Sequence, residues 1–338
     1  MINWTNKKVL VAGGAGQIGS HLSKRLVSLG AEVTVADNLS SGSTKNILGT
    51  IECMRFYKTD LRDSKEVDYL VSDSDYVFQL AANMGGMIYI DQNAKHNVEI
   101  MRDNVLINLN MLEAARKYDI AGLFYSSSAC VYPTFLQKET NAKSINLKES
   151  DAIPADPNEF YGWEKLFTEK LCEAYQNDYD TNIRIARFHN VYGECYTSFN
   201  KDRGKAPCLL IANVLRYNGG DFTGIWGSGE QVRSFLYAED CVDGILALMN
   251  SDYNKPINIG SDKSVTINQL ADLIFKIAGK KPDNIVRQMN MPIGVMGRNA
   301  SLDLVRKEIG WEPKVSLEDG LTKVYRWAES HFDELINA

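Results

Sequence analysis

The chain has 338 residues, of which 44% are hydrophobic and 24% charged, with 25 Gly and 8 Pro; that balance excludes disordered, collagen-like and coiled-coil classes. Lys and Arg number 37 against 43 Asp and Glu, a net charge of -6 with no dense basic run, so neither nucleic acid nor an anionic membrane is an expected partner. The length favours two lobes over one ordinary core. Residues 1–8 are polar and no apolar stretch approaches the ~18 residues of a spanning helix, so a cytoplasmic protein is expected. Cys53, Cys130, Cys172, Cys195, Cys208 and Cys241 form no CxxC pair, and His21, His96, His189 and His331 show no ligand spacing. Neither a disulfide framework nor a metal site is expected.

In chain order, short β-rich runs at 8–12, 32–37, 55–59, 76–81, 123–127 and 183–188 read as strands buried on both faces. Helical periodicity fills the gaps at 18–28, 63–71, 98–117 and 159–175. The alternation predicts a Rossmann-type doubly wound parallel sheet with ligands at the carboxyl ends of its strands. After residue 190 the rhythm changes to a Gly- and Lys-containing loop, a helix opening at Pro207, a strand pair around 222–226 and 232–236, and further helices. The expected division is a dinucleotide-binding domain at 1–190 and a smaller mixed α/β substrate lobe at 191–338, with segments near 238–260 returning to the first domain.

Residues 9–19, VLVAGGAGQIG, run from a strand through a glycine turn into a helix. Gly13, Gly14, Gly16 and Gly19 fit GxGxxG and GxxGxxG registers at once, where a lone tight turn needs neither. Gly13, Gly16, Gln17, Ile18, Gly19 and Ala81 are assigned to a dinucleotide. Asp37, closing the second strand, suits the ribose hydroxyls; with no arginine at Asn38 or Leu39 to take a 2′-phosphate, NAD is expected over NADP. Asp60 either contacts adenine or caps the helix after Leu61.

Tyr161 and Lys165 form YxxxK at the start of a helix, one turn apart on one face. A lysine ammonium and a cationic nicotinamide would lower the phenol's pKa and make it a base for a hydroxyl proton. A surface helix pair is the plainer explanation of YxxxK alone, but Ser126, Ser127 and Ser128 end an upstream strand that opens on the same crevice. Cys130, two residues after Ser128, is expected on the same strand face, although a free Cys is usually a small buried hydrophobe. Lys205 precedes the Pro207 helix, where an exposed loop lysine is equally ordinary.

The glycine turn, the serines and YxxxK in this order resemble the extended short-chain dehydrogenase/reductase family of nucleotide-sugar enzymes. AANMGGM (81–87), SSACVYP (127–133), KESDAIPADP (148–157), FYGWEKL (160–166), RFHNVYG (187–193), RGKAP (203–207), QVRSFLYAEDCVDG (231–244), NIGSD (258–262) and MGRN (296–299) are similar to its GDP-mannose 3,5-epimerase branch. The resemblance implies an NAD-dependent epimerase of a GDP-sugar, acting through C4 oxidation, exchange of protons at C3 and C5, and re-reduction. It implies catalytic roles for Ser128, Cys130, Tyr161, Lys165 and Lys205. It implies substrate contacts from Gly85, Ser128, Ala129, Cys130, Asn190, Lys205, Ala206, Gln231, Arg233 and Arg298, the arginines suiting a diphosphate through their planar forks. It also implies a homodimer, paired through the 98–117 helix and the Tyr161 helix.

The chain departs from that pattern at Asn83, at Asn213, in the loop 194–204 and after Met87, where it runs about three residues longer than the plant members. Two other readings stay open: a C4 epimerase or 4-dehydrogenase of a GDP-hexose or GDP-heptose, with Cys130 and Lys205 shaping the pocket, and a non-catalytic NAD sensor. An epimerase/reductase similar to fucose synthase would carry His where Lys205 stands.

Overall fold

The computed structural model describes residues 1–91, 93–140 and 146–336. The first half comprises β1 (Lys8–Ala12), α1 (Gln17–Ser28), β2 (Glu32–Asp37), β3 (Met54–Lys58), α2 (Ser64–Ser72), β4 (Tyr76–Gln79), α3 (Met87–Ile90), α4 (Asn97–Lys117), β5 (Gly122–Ser128), α5 (Phe160–Tyr179) and β6 (Ile183–Phe188). The second half begins with β7 (Val191–Tyr192), α6 (Ala206–Arg216), β8 (Asp221–Phe222), β9 (Val232–Ser234), β10 (Leu236–Tyr237) and α7 (Ala238–Met249). It continues through β11 (Ile257–Ile259), β12 (Ser264–Thr266), α8 (Ile267–Ala278), β13 (Asn284–Ile285), β14 (Gly297–Arg298), α9 (Asp303–Ile309), α10 (Leu317–Ser330) and α11 (Phe332–Ile336).

Seven parallel strands form the central sheet in the order β11-β6-β5-β4-β1-β2-β3, the doubly wound order with β11 added beside β6. Both faces of the strands are buried, as the apolar runs require, except in the edge strand β3, where Arg55 and Lys58 are exposed. In β1, Val9 and Val11 enter the core on the α1 and α7 side, while Leu10 and Ala12 enter the core against α2, α4 and α5. Helix α7 packs back on α1, where Arg25 reaches Asp243 and Glu239 at 2.6 and 2.8 Å. A separate apolar cluster joins α6, α8 and α10 in the smaller lobe.

The expected pairing of 222–226 with 232–236 does not occur. β8 pairs with β13, and β9 lies between β12 and β14. The link between the two runs turns away instead of forming a hairpin, and Trp226 within it bridges to Gln288. Short apolar runs carry no information about which distant strand completes their burial. Helix α5 also continues past 175 to Tyr179 and ends at Asp180 in the left-handed conformation, φ 53°. Among the described residues, no helix is long and apolar enough to cross a membrane.

Candidate active site

A cleft of about 840 Å³ runs along the carboxyl ends of β1, β2, β4 and β5 and on beneath the smaller lobe. Its first part is built on the β1–α1 turn. Helix α1 has no acidic side chain in its first turn, so its free N–H groups and positive dipole end face an anion unopposed. A Cβ on Gly19 would stand 2.2 Å from the Gly13 carbonyl oxygen, so only glycine lets helix and turn meet here. Gly13, Gly16, Gln17, Ile18, Gly19, Asp37 and Ala81 all line this part.

Asp37 is buried, and its carboxylate accepts from Ala15 N–H at 3.1 Å and Leu39 N–H at 2.8 Å. Burial raises its pKa, and those two N–H groups work against the rise. These groups fit a dinucleotide: N–H donors where a pyrophosphate would lie, and a carboxylate acceptor where a ribose would lie. Asp60 does not cap the helix after Leu61. Its side chain lies outside the cleft lining, held by Arg62 with Nε at 3.0 Å, while Asp63 caps α2 by accepting from Lys65 N–H at 2.9 Å. Arg62 in turn bridges to Asp103 at 3.2 Å.

In the middle of the cleft, α5 stacks Lys165 one turn behind Tyr161, which is 5% exposed. Lys165 Nζ donates to the Ser126 carbonyl at 2.9 Å and lies 5.5 Å from the Tyr161 ring centroid. Burial pushes the Tyr161 phenol well above its ordinary range, and the opposing pull comes from the Ser128 hydroxyl rather than from Lys165. The lysine itself is lowered by burial against the neighbouring Glu164. Glu164, unnoticed in the sequence, accepts from Asn104 at 3.1 Å, Asn108 at 2.9 Å and Thr168 at 2.9 Å, tying α5 to α4. Its signal was a charged residue on the buried face of YxxxK.

Cys130 reaches the cleft by a different route from the one its spacing predicts. β5 ends at Ser128, and Ala129–Val131 form a 3-10 turn in which Cys130 N–H donates to Ser128 Oγ at 3.1 Å. Strand alternation therefore stops before Cys130; the side-chain cap by Ser128 ends the strand. Ala129 and Cys130 both line the cleft. Against the thiol stands Arg298 of β14, whose Nη1 lies 3.2 Å from Cys130 Sγ and whose Nε donates to Gln137 Oε1 at 2.7 Å. Burial opposes the Arg298 charge, and Cys130 and Glu159 more than offset it.

Lys205 is the N-cap residue of α6, with no hydrogen-bond partner for its ammonium among the described residues, and burial lowers its pKa. Ala206 and Gly85 line the same space. Asn190 holds a left-handed φ of 42° and donates to the Ser234 carbonyl at 2.9 Å. Gln231 Nε2 donates to the Trp226 carbonyl at 3.0 Å.

The Arg233 fork is turned differently from the expected diphosphate clasp. Its Nη1 donates to Val232 O at 2.8 Å and its Nη2 to Ile293 O at 3.2 Å and Val295 O at 2.5 Å. Burial beside Arg298 lowers Arg233 to about 9. Among the described residues, three buried polar atoms of the cleft lining have no partner: Glu159 Oε2, Gln231 Oε1 and Arg298 Nη2. Glu159 and Gln137 were not singled out in the sequence; an acidic residue two positions before a YxxxK tyrosine was the one visible signal.

A dinucleotide groove opening beside Ser128 and the buried Tyr161 and Lys165 equips an enzyme to oxidise an alcohol and reduce it again. The chain belongs to the NAD dependent epimerase/dehydratase family, which it matches over residues 9–260, and NAD is its cofactor. It is 39% identical to GDP-mannose 3,5-epimerase of Arabidopsis thaliana, over 97% of this chain and 84% of that one. It is 38% identical to GDP-mannose 3,5-epimerase 1 of Oryza sativa subsp. indica, over 98% and 84%. Among solved structures, UDP-glucose 4-epimerase of Thermotoga maritima with UDP-glucose superposes with TM-score 0.83 at 29% identity, covering 96% of this chain and 99% of that chain. UDP-glucuronic acid 4-epimerase of Bacillus cereus, in complex with UDP-glucuronic acid and NAD, gives 0.81 at 26%, covering 96% and 99%.

Proposed function

We propose that this enzyme is a GDP-hexose 3,5-epimerase whose substrate is GDP-mannose or a close analogue. The observation that carries the reading is the convergence of Cys130 and Lys205 on the cleft that also holds Ser128 and Tyr161. The β1–α1 turn, Asp37, Tyr161 and Lys165 would hold NAD, which when bound would supply a reversible hydride acceptor. Tyr161 takes the proton of the C4 hydroxyl, Ser128 orients that hydroxyl, and Lys165 stands behind the phenol.

A C4 carbonyl makes the C3 and C5 hydrogens acidic. Epimerising either carbon needs an acid and a base on opposite ring faces. Arg298 Nη1 stands 3.2 Å from Cys130 Sγ on the cleft wall, and burial lowers the Lys205 pKa, which makes its ammonium the readier proton donor. Re-reduction at C4 would leave no net redox change.

Residues 1–190 serve the dinucleotide and residues 191–338, apart from 238–260, serve the nucleotide sugar. The enzyme works as a homodimer: Leu106 and Leu109 on α4 and Phe160, Trp163 and Phe167 on α5 leave large apolar side chains exposed on two adjacent helices. The six free cysteines suit the reducing cytoplasm.

In D2O with GDP-mannose, the product is expected to gain deuterium at C3, at C5 or at both. Cys130→Ala and Lys205→Ala each suppress that labelling while transient NADH still forms. An active parent enzyme giving unlabelled product would overturn the reading in favour of C4-only chemistry, in which hydride passes to NAD and back.

A further inference from the structure

The segment after Met87 brings the Tyr89 ring onto the loop that carries Lys205, with the His96 ring stacked on Tyr89. Tyr89 of α3 is 9% exposed and holds the Arg203 guanidinium carbon 4.2 Å from its ring centroid. His96 stacks on the same ring at 4.4 Å with 13° between planes. Two groups so close to one centroid occupy its opposite faces. Arg203 Nη1 also donates to the Met84 carbonyl at 3.0 Å, and the Tyr89 hydroxyl donates to Asn83 Oδ1 at 2.7 Å. The backbones meet as well: a Cβ on Gly86 would stand 2.2 Å from the Gly204 carbonyl oxygen. Tyr89 packs in one apolar cluster with Cys130 and Tyr161.

We propose that Tyr89 is the positioning residue of the proton-exchange half-reaction, clamping Arg203 and thereby aiming Lys205 into the cleft. The Lys205 ammonium has no hydrogen-bond partner among the described residues, so its place depends on the backbone that precedes α6. That backbone is the 200–204 turn, closed by Gly204 N–H to Asn200 O at 2.7 Å and pinned from outside by Arg203. Tyr161 shares an apolar cluster with Tyr89, but its place is set by α5, and Lys165 is set by α5 and the Ser126 carbonyl of β5, so neither needs the Arg203 contact that Tyr89 makes. The inference rests on the assignment of Lys205 to proton transfer.

The test compares Tyr89→Leu, which removes the ring, with Tyr89→Phe, which keeps it. Three quantities are read: deuterium incorporation carbon by carbon, the transient NADH signal, and backbone amide exchange across 200–206. Tyr89→Leu is expected to lower incorporation about tenfold at the carbon Lys205 serves, the loss of one desolvated cation–π contact. NADH formation stays near the parent level, and amide exchange across 200–206 quickens. Tyr89→Phe restores all three.

Equal losses of incorporation and NADH formation would overturn the proposal in favour of a general structural role, and unchanged incorporation would overturn it outright. If the parent forms NADH but never labels, the 3,5-epimerase reading fails instead. Amide exchange then decides the clamp by itself, and unchanged exchange across 200–206 would overturn it.

Discussion

In the proposed mechanism Tyr161 concentrates the redox chemistry in one hydroxyl. Its ring is packed with Tyr89, Ile90, Ile100 and Cys130, so Tyr161→Phe keeps the packing and removes only the group that moves a proton. The variant is expected to bind NAD and nucleotide sugar as the parent does and to lose about 100-fold or more in turnover. Steady-state kinetics with a parallel NAD titration checks this; near-parental turnover would assign the base elsewhere. The same scale shows why Cys130 and Arg298 need each other. The Arg298 guanidinium stands 3.2 Å from the Cys130 sulfur and is itself held by Gln137, so the pair fixes where the thiol sits on the cleft wall.

At the scale of elements, α4 and α5 do two jobs. Their inner faces bind each other through Asn104, Asn108 and Glu164, which fixes the helix start that carries Tyr161. Their outer faces leave Trp163 and Phe167 exposed at 43% and 49% on α5, an arrangement costly in water unless another surface covers it. Trp163→Glu is therefore expected to shift the enzyme from dimer to monomer in sedimentation velocity, with far-ultraviolet circular dichroism unchanged. A monomeric parent would show that α4 and α5 are not the pairing surface. Because α5 also carries Tyr161, the monomer is expected to lose several-fold in turnover.

For the whole molecule, the cleft couples cofactor choice to stability. NAD contacts only the folded state, so at about 100 times its Kd it adds roughly 2.7 kcal/mol and raises the thermal midpoint by several degrees. NADP is expected to raise it far less at equal concentration. The Asp37 carboxylate, buried and already bonded to two N–H groups, repels a 2′-phosphate, and Arg62 is occupied by Asp60 and Asp103. Together these give NAD a preference of tens- to hundreds-fold, about 2–3 kcal/mol. Differential scanning fluorimetry with both dinucleotides measures it; equal shifts would remove Asp37 from its assigned role.

What the sequence determined by itself was local and periodic. Strand, glycine turn and helix follow from consecutive residues at 9–19; Asp37 sits at a strand end; YxxxK spaces two side chains by one helical turn. Near-continuous apolar strands alternating with helices admit only a covered parallel sheet. Tertiary structure decided whatever joins residues far apart in the chain. It set the partners of β8 and β9, the Arg298 contact with a thiol 168 positions away, and the turning of the Arg233 fork onto backbone carbonyls. It also joined the Met87 segment to the Lys205 loop through Tyr89 and Arg203. The reason is physical: propensity and periodicity act over a few residues, whereas the partner of a buried charge or a short strand is chosen by which distant surface completes its burial and its hydrogen bonds.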